Sequence, residues 1–146
     1  MQRDKAEIMK KIVLISCVSK KLPFAAKAQE LYISPLFRLN FQYASSLEPD
    51  VILILSAKHG LVSVDQKIAP YEQTLNSMPI GAVRKWAAKT LIQLKEVADL
   101  DKDHFVILAG EKYRRFILPH LKSYEIPMKG LKIGEQLSWL KKAVCT

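Results

Sequence analysis

The chain has 146 residues, 49% of them hydrophobic and 25% charged, which suits one domain with a real core and excludes a disordered tail protein. Lysine and arginine number 23 against 14 acidic residues, a formal charge of +9; it favours nucleotides or nucleic acid as partners, or else belongs to scattered, merely solvated lysines. No apolar run approaches the roughly 20 residues that span a bilayer, and the charged start MQRDKAEIMKK lacks a secretory signal's apolar core, so no membrane partner is expected and the cytoplasm is the expected location.

In chain order, residues 1–10 read as an N-terminal extension, flexible or helical. Residues 12–15 (IVLI), 51–55 (VILIL) and 105–109 (FVILA) are short, rich in β-branched side chains and apolar without alternation, the pattern of strands covered on both faces. After the first strand, Ser34 and Pro35 read as an N-cap and a first-turn proline. Leu36, Leu39, Tyr43 and Leu47 then recur at helical spacing. Residues 59–77 form the longest irregular stretch, and a loop of that length is functional or mobile. A helix starting near Pro79 carries Val83, Trp86, Ala87, Thr90, Leu91 and Leu94 on one stripe. Residues 111–118 read as a helix stopped near Pro119, and residues 124–128 as a weaker fourth strand. The last helix starts near Ile133 and carries Ile133, Leu137 and Leu140 inward, with Trp139 in the core. Strand–helix–strand alternation with short connections implies parallel strands and right-handed crossovers. The expected fold is a single three-layer Rossmann-like α/β domain over residues 1–146, with a mainly parallel sheet of about four strands.

All three main strands end in small or polar residues: Ser16–Cys17, Ser56, and Ala109–Gly110. In open parallel sheets, ligands bind outside the carboxyl ends of the strands, so these segments are expected to share one rim. At the first end, Cys17 beside Lys20 and Lys21 reads either as an activated thiol nucleophile or as a small hydrophobe closing a strand. The two lysines suit a phosphate or carboxylate in either case. The second segment offers Ser56, Lys58, His59 and Gly60: a hydroxyl donor, a cation, an imidazole that moves protons near neutral pH, and a glycine for the turn. It lacks the G-x-S-x-G pattern of a hydrolase elbow. In the third, Gly110 precedes a basic helix start where a phosphate can approach, with Arg114 nearby. Tyr113 suits base stacking or core packing equally. Gln136 in the final helix can read a base edge. Cys17 and Cys145 support no disulfide framework, and with His59, His104 and His120 they show none of the paired spacings of a zinc site, so no metal is expected. No cofactor is expected either.

These residues also carry a resemblance. Ser16-Cys17-x-x-Lys20-Lys21, then Leu31-Tyr32-x-Ser34-Pro35-Leu36-Phe37, resembles the start of a bacterial and phage family of domains of unknown function, number 6884. Leu55-Ser56-Ala57-Lys58-His59-Gly60-Leu61, with Asp65, Ile68, Pro70-Tyr71 and Leu75, is similar to that family's middle block. Gly130-Leu131-x-Ile133-Gly134-x-Gln136-Leu137-x-Trp139-Leu140 is similar to its ending. The middle block is also distantly similar to that of the DNA-associated peroxide-stress-response family. The first block loosely resembles the motif of archaeosine synthase, which modifies a deazaguanine base in tRNA, with Ser16 standing where that motif has proline. Both likenesses imply nucleobases or nucleic acid.

The function expected from the sequence is an enzyme processing a nucleobase, nucleoside or nucleotide, linked to nucleic-acid modification. Cys17, Ser56 and His59 are its catalytic candidates. Its ligand-binding candidates are Ser16, Lys20, Lys21, Tyr32, Ser34, Lys58, Gly60, Asp65, Tyr71, Gly110, Tyr113, Arg114 and Gln136, with Asp65 and Tyr71 closing over the ligand from the long loop. The alternative is a non-catalytic binding module, DNA-associated or nucleotide-sensing, whose affinity falls steeply with salt.

Overall fold

In the computed structural model, which describes residues 9–145, the run IVLI lies in strand β1 (Lys11–Ser16). Ile12 through Ile15 have no exposed surface at all, as a strand covered on both faces requires. Most of the expected N-terminal extension, residues 1–8, lies outside the described residues. Lys10, its last residue, is anchored: its N–H donates to Asp103 Oδ1 at 2.9 Å and its Nζ to the Val97 carbonyl at 3.1 Å.

After β1 the chain folds back on itself. Leu22 N–H donates to the Leu31 carbonyl and Ile33 N–H to that of Lys20, which sets Lys21 opposite Tyr32. Inside this loop lie β2 (Ala26–Lys27) and the single turn α1 (Ala28–Leu31). Helix α2 (Pro35–Ser46) opens as expected, with the Ser34 hydroxyl accepting from Phe37 N–H at 3.2 Å. Its buried residues, however, are Phe37, Asn40 and Ala44. The expected stripe of Leu36, Leu39, Tyr43 and Leu47 is only half-buried, and Tyr43 meets Trp139 edge-on with ring centroids 5.1 Å apart. The helix has two neighbours, β1 and the final helix, and therefore covers two stripes.

Strand β3 (Val51–Ser56) lies parallel to β1. The stretch expected to be irregular from residue 59 instead forms β4 (Gly60–Ser63), which turns back antiparallel on β3 with Ser56 opposite Gly60. Gly60 makes the turn possible at φ +81, and a Cβ there would strike the Gln93 side chain, whose Oε1 accepts from Leu61 N–H at 2.8 Å. β5 (Lys67–Ile68) pairs with β2, and only then does the chain run to a 3-10 turn at Leu75–Ser77.

Helix α3 (Ile80–Lys95) buries the six residues its periodicity names. β6 (His104–Leu108) follows, then α4 (Glu111–Arg114), a 3-10 turn (Leu118–His120), β7 (Ser123–Glu125) and α5 (Ile133–Val144). The helix expected over 111–118 is thus one turn long: beyond it Ile117 N–H bonds back only three residues, to the Arg114 carbonyl, and the chain enters a 3-10 turn that carries Pro119 near its start. The fourth strand stops at Glu125, before Pro127. On α5, Leu140 is buried, but Ile133 is 64% exposed and Leu137 half-buried, so the inward stripe is narrower than expected.

The result is a mixed α/β fold around a five-stranded, mostly parallel sheet in the order β4-β3-β1-β6-β7, with only β4 antiparallel. The chain moves from β1 outward to β3 and β4, then returns to β6 on the other side of β1. That reversal leaves a crevice between the carboxyl ends of β1 and β6, the place where open sheets of this kind take ligands. Among the described residues no helix is long and apolar enough to cross a membrane.

Candidate functional site

A cavity of about 440 Å³ occupies that crevice, with Ser16 and Cys17 from the end of β1 facing Ala109 and Gly110 from the end of β6. Its size suits a small organic ligand. A larger hollow of about 1000 Å³ lies at the opposite end of the same strands, beside Lys10, Asp99, Asp103 and His120. Its central carboxylate, Asp103, is engaged by the N–H groups of Lys10 and Asp99 at 2.9 and 2.8 Å and closes the backbone there. The smaller cavity is the better candidate because chemically capable groups converge on it.

Cys17 is 7% exposed and borders the cavity. Its sulfur accepts from Ala57 N–H at 3.4 Å, and its S–H donates to the Tyr113 hydroxyl at 3.4 Å. That hydroxyl also accepts from Leu75 N–H at 3.4 Å. Burial pushes the Tyr113 hydroxyl well above its ordinary range, and the nearby Cys17 adds to the shift. The strand end fixes the thiol, since Cys17 N–H continues the sheet by donating to the Leu55 carbonyl at 2.9 Å.

Beside the thiol runs a hydrogen-bonded chain of hydroxyls. Ser56 Oγ donates to Tyr71 Oη at 2.8 Å, the Tyr71 and Tyr32 hydroxyls are hydrogen-bonded to each other at 2.6 Å, either one being able to donate, and His59 N–H donates to Ser56 Oγ at 3.1 Å. Trp86 Nε1–H donates to the Ser56 carbonyl at 2.8 Å. Burial pushes Tyr32 up to about 12 and Tyr71 higher still, so both stay neutral donors at physiological pH. The Lys21 ammonium stands 4.4 Å from the Tyr71 ring centroid and donates to the Ser19 carbonyl at 3.1 Å. Partial burial lowers its pKa, opposed by the charges of Cys17 and Glu72.

The structure brings Ser16, Cys17, Lys21, Tyr71, Gly110, Tyr113 and Gln136 to the cavity. It does not bring the rest there. Ser56 is fully buried and Tyr32 nearly so, and both reach the site through Tyr71. The His59 ring packs edge-on against Tyr71 at 5.7 Å, outside the cavity lining. Burial, then the cations of Lys58 and Lys89, lowers its pKa. Lys20 and Lys58 are exposed side chains outside the lining. Ser34 caps α2, Gly60 makes the hairpin turn, and Arg114 Nη1 is tied to the Ala109 carbonyl at 2.8 Å. Asp65, expected to close over the ligand with Tyr71, accepts instead from Gln29 Nε2 at 3.1 Å and lies by Asp50 and Val51, where β3 begins. The β4 turn carries it away, because the loop doubles back along β3 before reaching Tyr71. Gly110 precedes a helix of only one turn, so little helix dipole stands behind it.

Sequence reasoning missed Asn40, Thr74 and Lys112, which also line the cavity. Asn40 lies with Phe37 and Ala44 on the sheet-facing stripe of α2, which is less apolar than the stripe that the periodicity picks out. No local signal marks Thr74, whereas Lys112 belongs to the basic helix start that follows Gly110. Among the described residues, no three His, Cys, Asp or Glu side chains gather as a metal site requires.

The chain matches the family of unknown function DUF6884 over residues 12–142, and it belongs to that family. No curated protein and no solved structure matches it.

Proposed function

We propose that this member of the DUF6884 family is an enzyme acting on a nucleobase, nucleoside or nucleotide, free or within a polymer, at the cavity between the ends of β1 and β6. One observation carries the reading: Cys17 Sγ sits at the rim of the strand-end crevice between two hydrogen-bonding groups, Ala57 N–H and the Tyr113 hydroxyl, each at 3.4 Å. An ionised sulfur there keeps the amide as donor and gains the tyrosine, whose hydroxyl turns from accepting S–H to donating to S⁻. The thiolate then adds to an electrophilic C=N carbon of the base, or it anchors the ligand without bond formation. In the addition, the electron pair of the opened π bond passes to the ring nitrogen, which takes up the proton that the thiol released. Lys21 and Lys112 border the same cavity together with Glu72 and Glu111, and either ammonium can turn from its backbone carbonyl to an anionic group such as a phosphate. Ser56 and His59 act as positioning residues through Tyr71, holding the wall beside the thiol. The likenesses of the first and middle sequence blocks support a base as the substrate.

The wider arrangement belongs to this proposal too. Right-handed crossovers set α2 with α5 on one sheet face and α3 with α4 on the other, a three-layer Rossmann-like domain. Two unpaired cysteines suit a reducing cytoplasm. The second reading, a DNA-associated or nucleotide-sensing module without chemistry, is favoured by the low exposure of Cys17, at 7%, together with the charge of +9.

A melting screen against nucleobases, nucleosides, nucleotides and deazaguanines, with short DNA and RNA alongside, followed by a turnover assay on any small molecule that shifts the curve, separates the two. Ligands that bind only the folded state raise the melting temperature. The enzyme reading expects a small-molecule shift that disappears in Cys17→Ala and in Lys21→Ala. It is overturned if those variants, and His59→Ala, fold normally and keep full activity. Stabilisation by polymer alone, abolished by salt, assigns the binding module instead.

A further inference from the structure

Among the described residues, Asn40 is the one polar side chain of the cavity wall that is deeply buried and left unfinished. It stands in the middle of α2, is 5% exposed, and lines the cavity, yet its Oδ1 has no hydrogen-bond partner among the described residues. The hydroxyls opposite are all engaged: Tyr113 by Cys17 and Leu75, Tyr71 by Ser56 and Tyr32. Nothing about the helix asks for an amide at this position. Its buried neighbours on that face are Phe37 and Ala44, asparagine is a poorer helix former than leucine, and an unsatisfied buried amide costs its full desolvation. A leucine has a similar shape and carries none of that cost.

Gln136 reaches the same cavity from α5. Its Nε2 donates to the Leu131 carbonyl at 2.9 Å, which pins the amide so that its Oε1 is the group available to a ligand. Leu36 and Ile133 border the same wall, and Ile133 stands 64% exposed at the mouth. Apolar surface beside two side-chain amides fits a flat heteroaromatic ring held by its polar edge.

We infer that Asn40 is a specificity-determining residue whose amide pairs with the edge of a nucleobase that carries an N–H donor next to a carbonyl or ring-nitrogen acceptor. This rests on the nucleobase reading of the site and adds the chemistry by which the base is read. The asparagine side chain offers an acceptor and a donor side by side, and such bidentate pairing to a base edge is a strong discriminator. Asn40 selects the ligand from the α2 wall, while Cys17 and Tyr113 face it from the strand ends.

The test is calorimetric titration of wild type, Asn40→Leu and Asn40→Ser with guanosine and adenosine. The edge-blocked analogues 1-methylguanosine and purine riboside are titrated in parallel. The expected result is that wild type binds at least one parent nucleoside about tenfold or more tighter than its blocked analogue, and that both variants lose this discrimination. Ligand-free Asn40→Leu is expected to melt no lower than wild type, a readout independent of any ligand. Asn40→Ser guards against overpacking by the leucine. Equal wild-type affinity for parent and blocked nucleosides, or unchanged affinity in both variants, overturns the role of Asn40 and leaves the nucleobase reading standing. Failure of wild type to bind any of the four overturns the role of Asn40. The nucleobase reading falls with it only if the bases, nucleotides and nucleic acids of the melting screen also give no shift.

Discussion

The two ends of the central strands make an instructive pair. Where β1 and β6 begin, a hollow of about 1000 Å³ is bordered by Asp99, Asp101, Asp103 and Lys10, a rich set of charges. Asp103 bridges Lys10 N–H and Asp99 N–H, Asp99 Oδ1 accepts from Asp101 and Lys102, and Lys10 Nζ is taken by the Val97 carbonyl. Where the strands finish, the cavity is less than half that volume, yet it holds a thiol between two hydrogen-bonding groups and an amide oxygen with no partner. At the charged end Asp99, Asp103 and Lys10 are spent on the backbone, while the smaller end keeps a buried amide oxygen to spare. Unfinished hydrogen bonding, more than volume or charge, marks the place for a ligand.

The sharpest way to break this contrast is to unmake the closed end. Asp103 is 2% exposed and holds two backbone N–H groups, so Asp103→Ala is expected to cost about 3 kcal/mol by urea denaturation. Ligand-induced stabilisation at the other end should persist in that variant. A stability within 0.5 kcal/mol or so of wild type contradicts the structural role of this end. Next in size is the hairpin turn that sends β4 back along β3. Gly60→Ala combines a left-handed backbone with a collision against Gln93, and a loss of about 2 kcal/mol is expected.

Tyr71 ties the finished and unfinished parts of the rim together. Tyr71→Phe leaves the Ser56 and Tyr32 hydroxyls without their shared partner and is expected to cost about 1 kcal/mol. It also has a pH signature. Burial, then the neighbouring Cys17 and Tyr32 groups, raises the Tyr71 pKa above its ordinary value of 10.0, so the folded state keeps a proton that the unfolded chain releases. The stabilisation is full below about pH 10 and declines as the pH rises beyond it. Melting curves from pH 9 to 11 should fall less steeply in Tyr71→Phe than in wild type.

The smallest effect concerns His59. Burial and two lysines lower its pKa, so the folded state resists protonation more than the unfolded chain does. Its contribution is present above the ordinary value of 6.5 and is lost as the pH falls through the lowered one. His59→Gln should flatten the decline in melting temperature between about pH 6.5 and 5. An unchanged pH profile would show that the ring behind Tyr71 is indifferent to its charge.

Much of this geometry was legible beforehand. The three non-alternating runs became β1, β3 and β6 because both faces of each are covered, and the periodicity from Pro79 named the buried face of α3 residue by residue. Strand β4 escaped because it is four residues long, with only Leu61 and Val62 as apolar members, and owes its place to a turn at Gly60. Asp65 was misplaced for the same reason, since an undetected hairpin moves everything downstream of it. Of the candidate site, the strand ends were legible from topology alone. Asn40 was not, because the more apolar stripe of α2 packs on the final helix and left the sheet-facing stripe unnoticed. Ser56 and His59 carried the right chemistry on the wrong side of Tyr71, a distinction that only three-dimensional packing makes.

The central claim, that the cavity at the ends of β1 and β6 takes a nucleobase-type ligand against Cys17, is tested most directly by thiol labelling. Iodoacetamide modification of Cys17 and Cys145 is followed by mass spectrometry, with and without saturating guanosine or adenosine, each tested separately. Cys145 is exposed, outside the cavity lining, and serves as the internal control. The account predicts that at least one nucleoside slows labelling of Cys17 severalfold while Cys145 reacts at an unchanged rate. Labelling of Cys17 that neither nucleoside alters would contradict it.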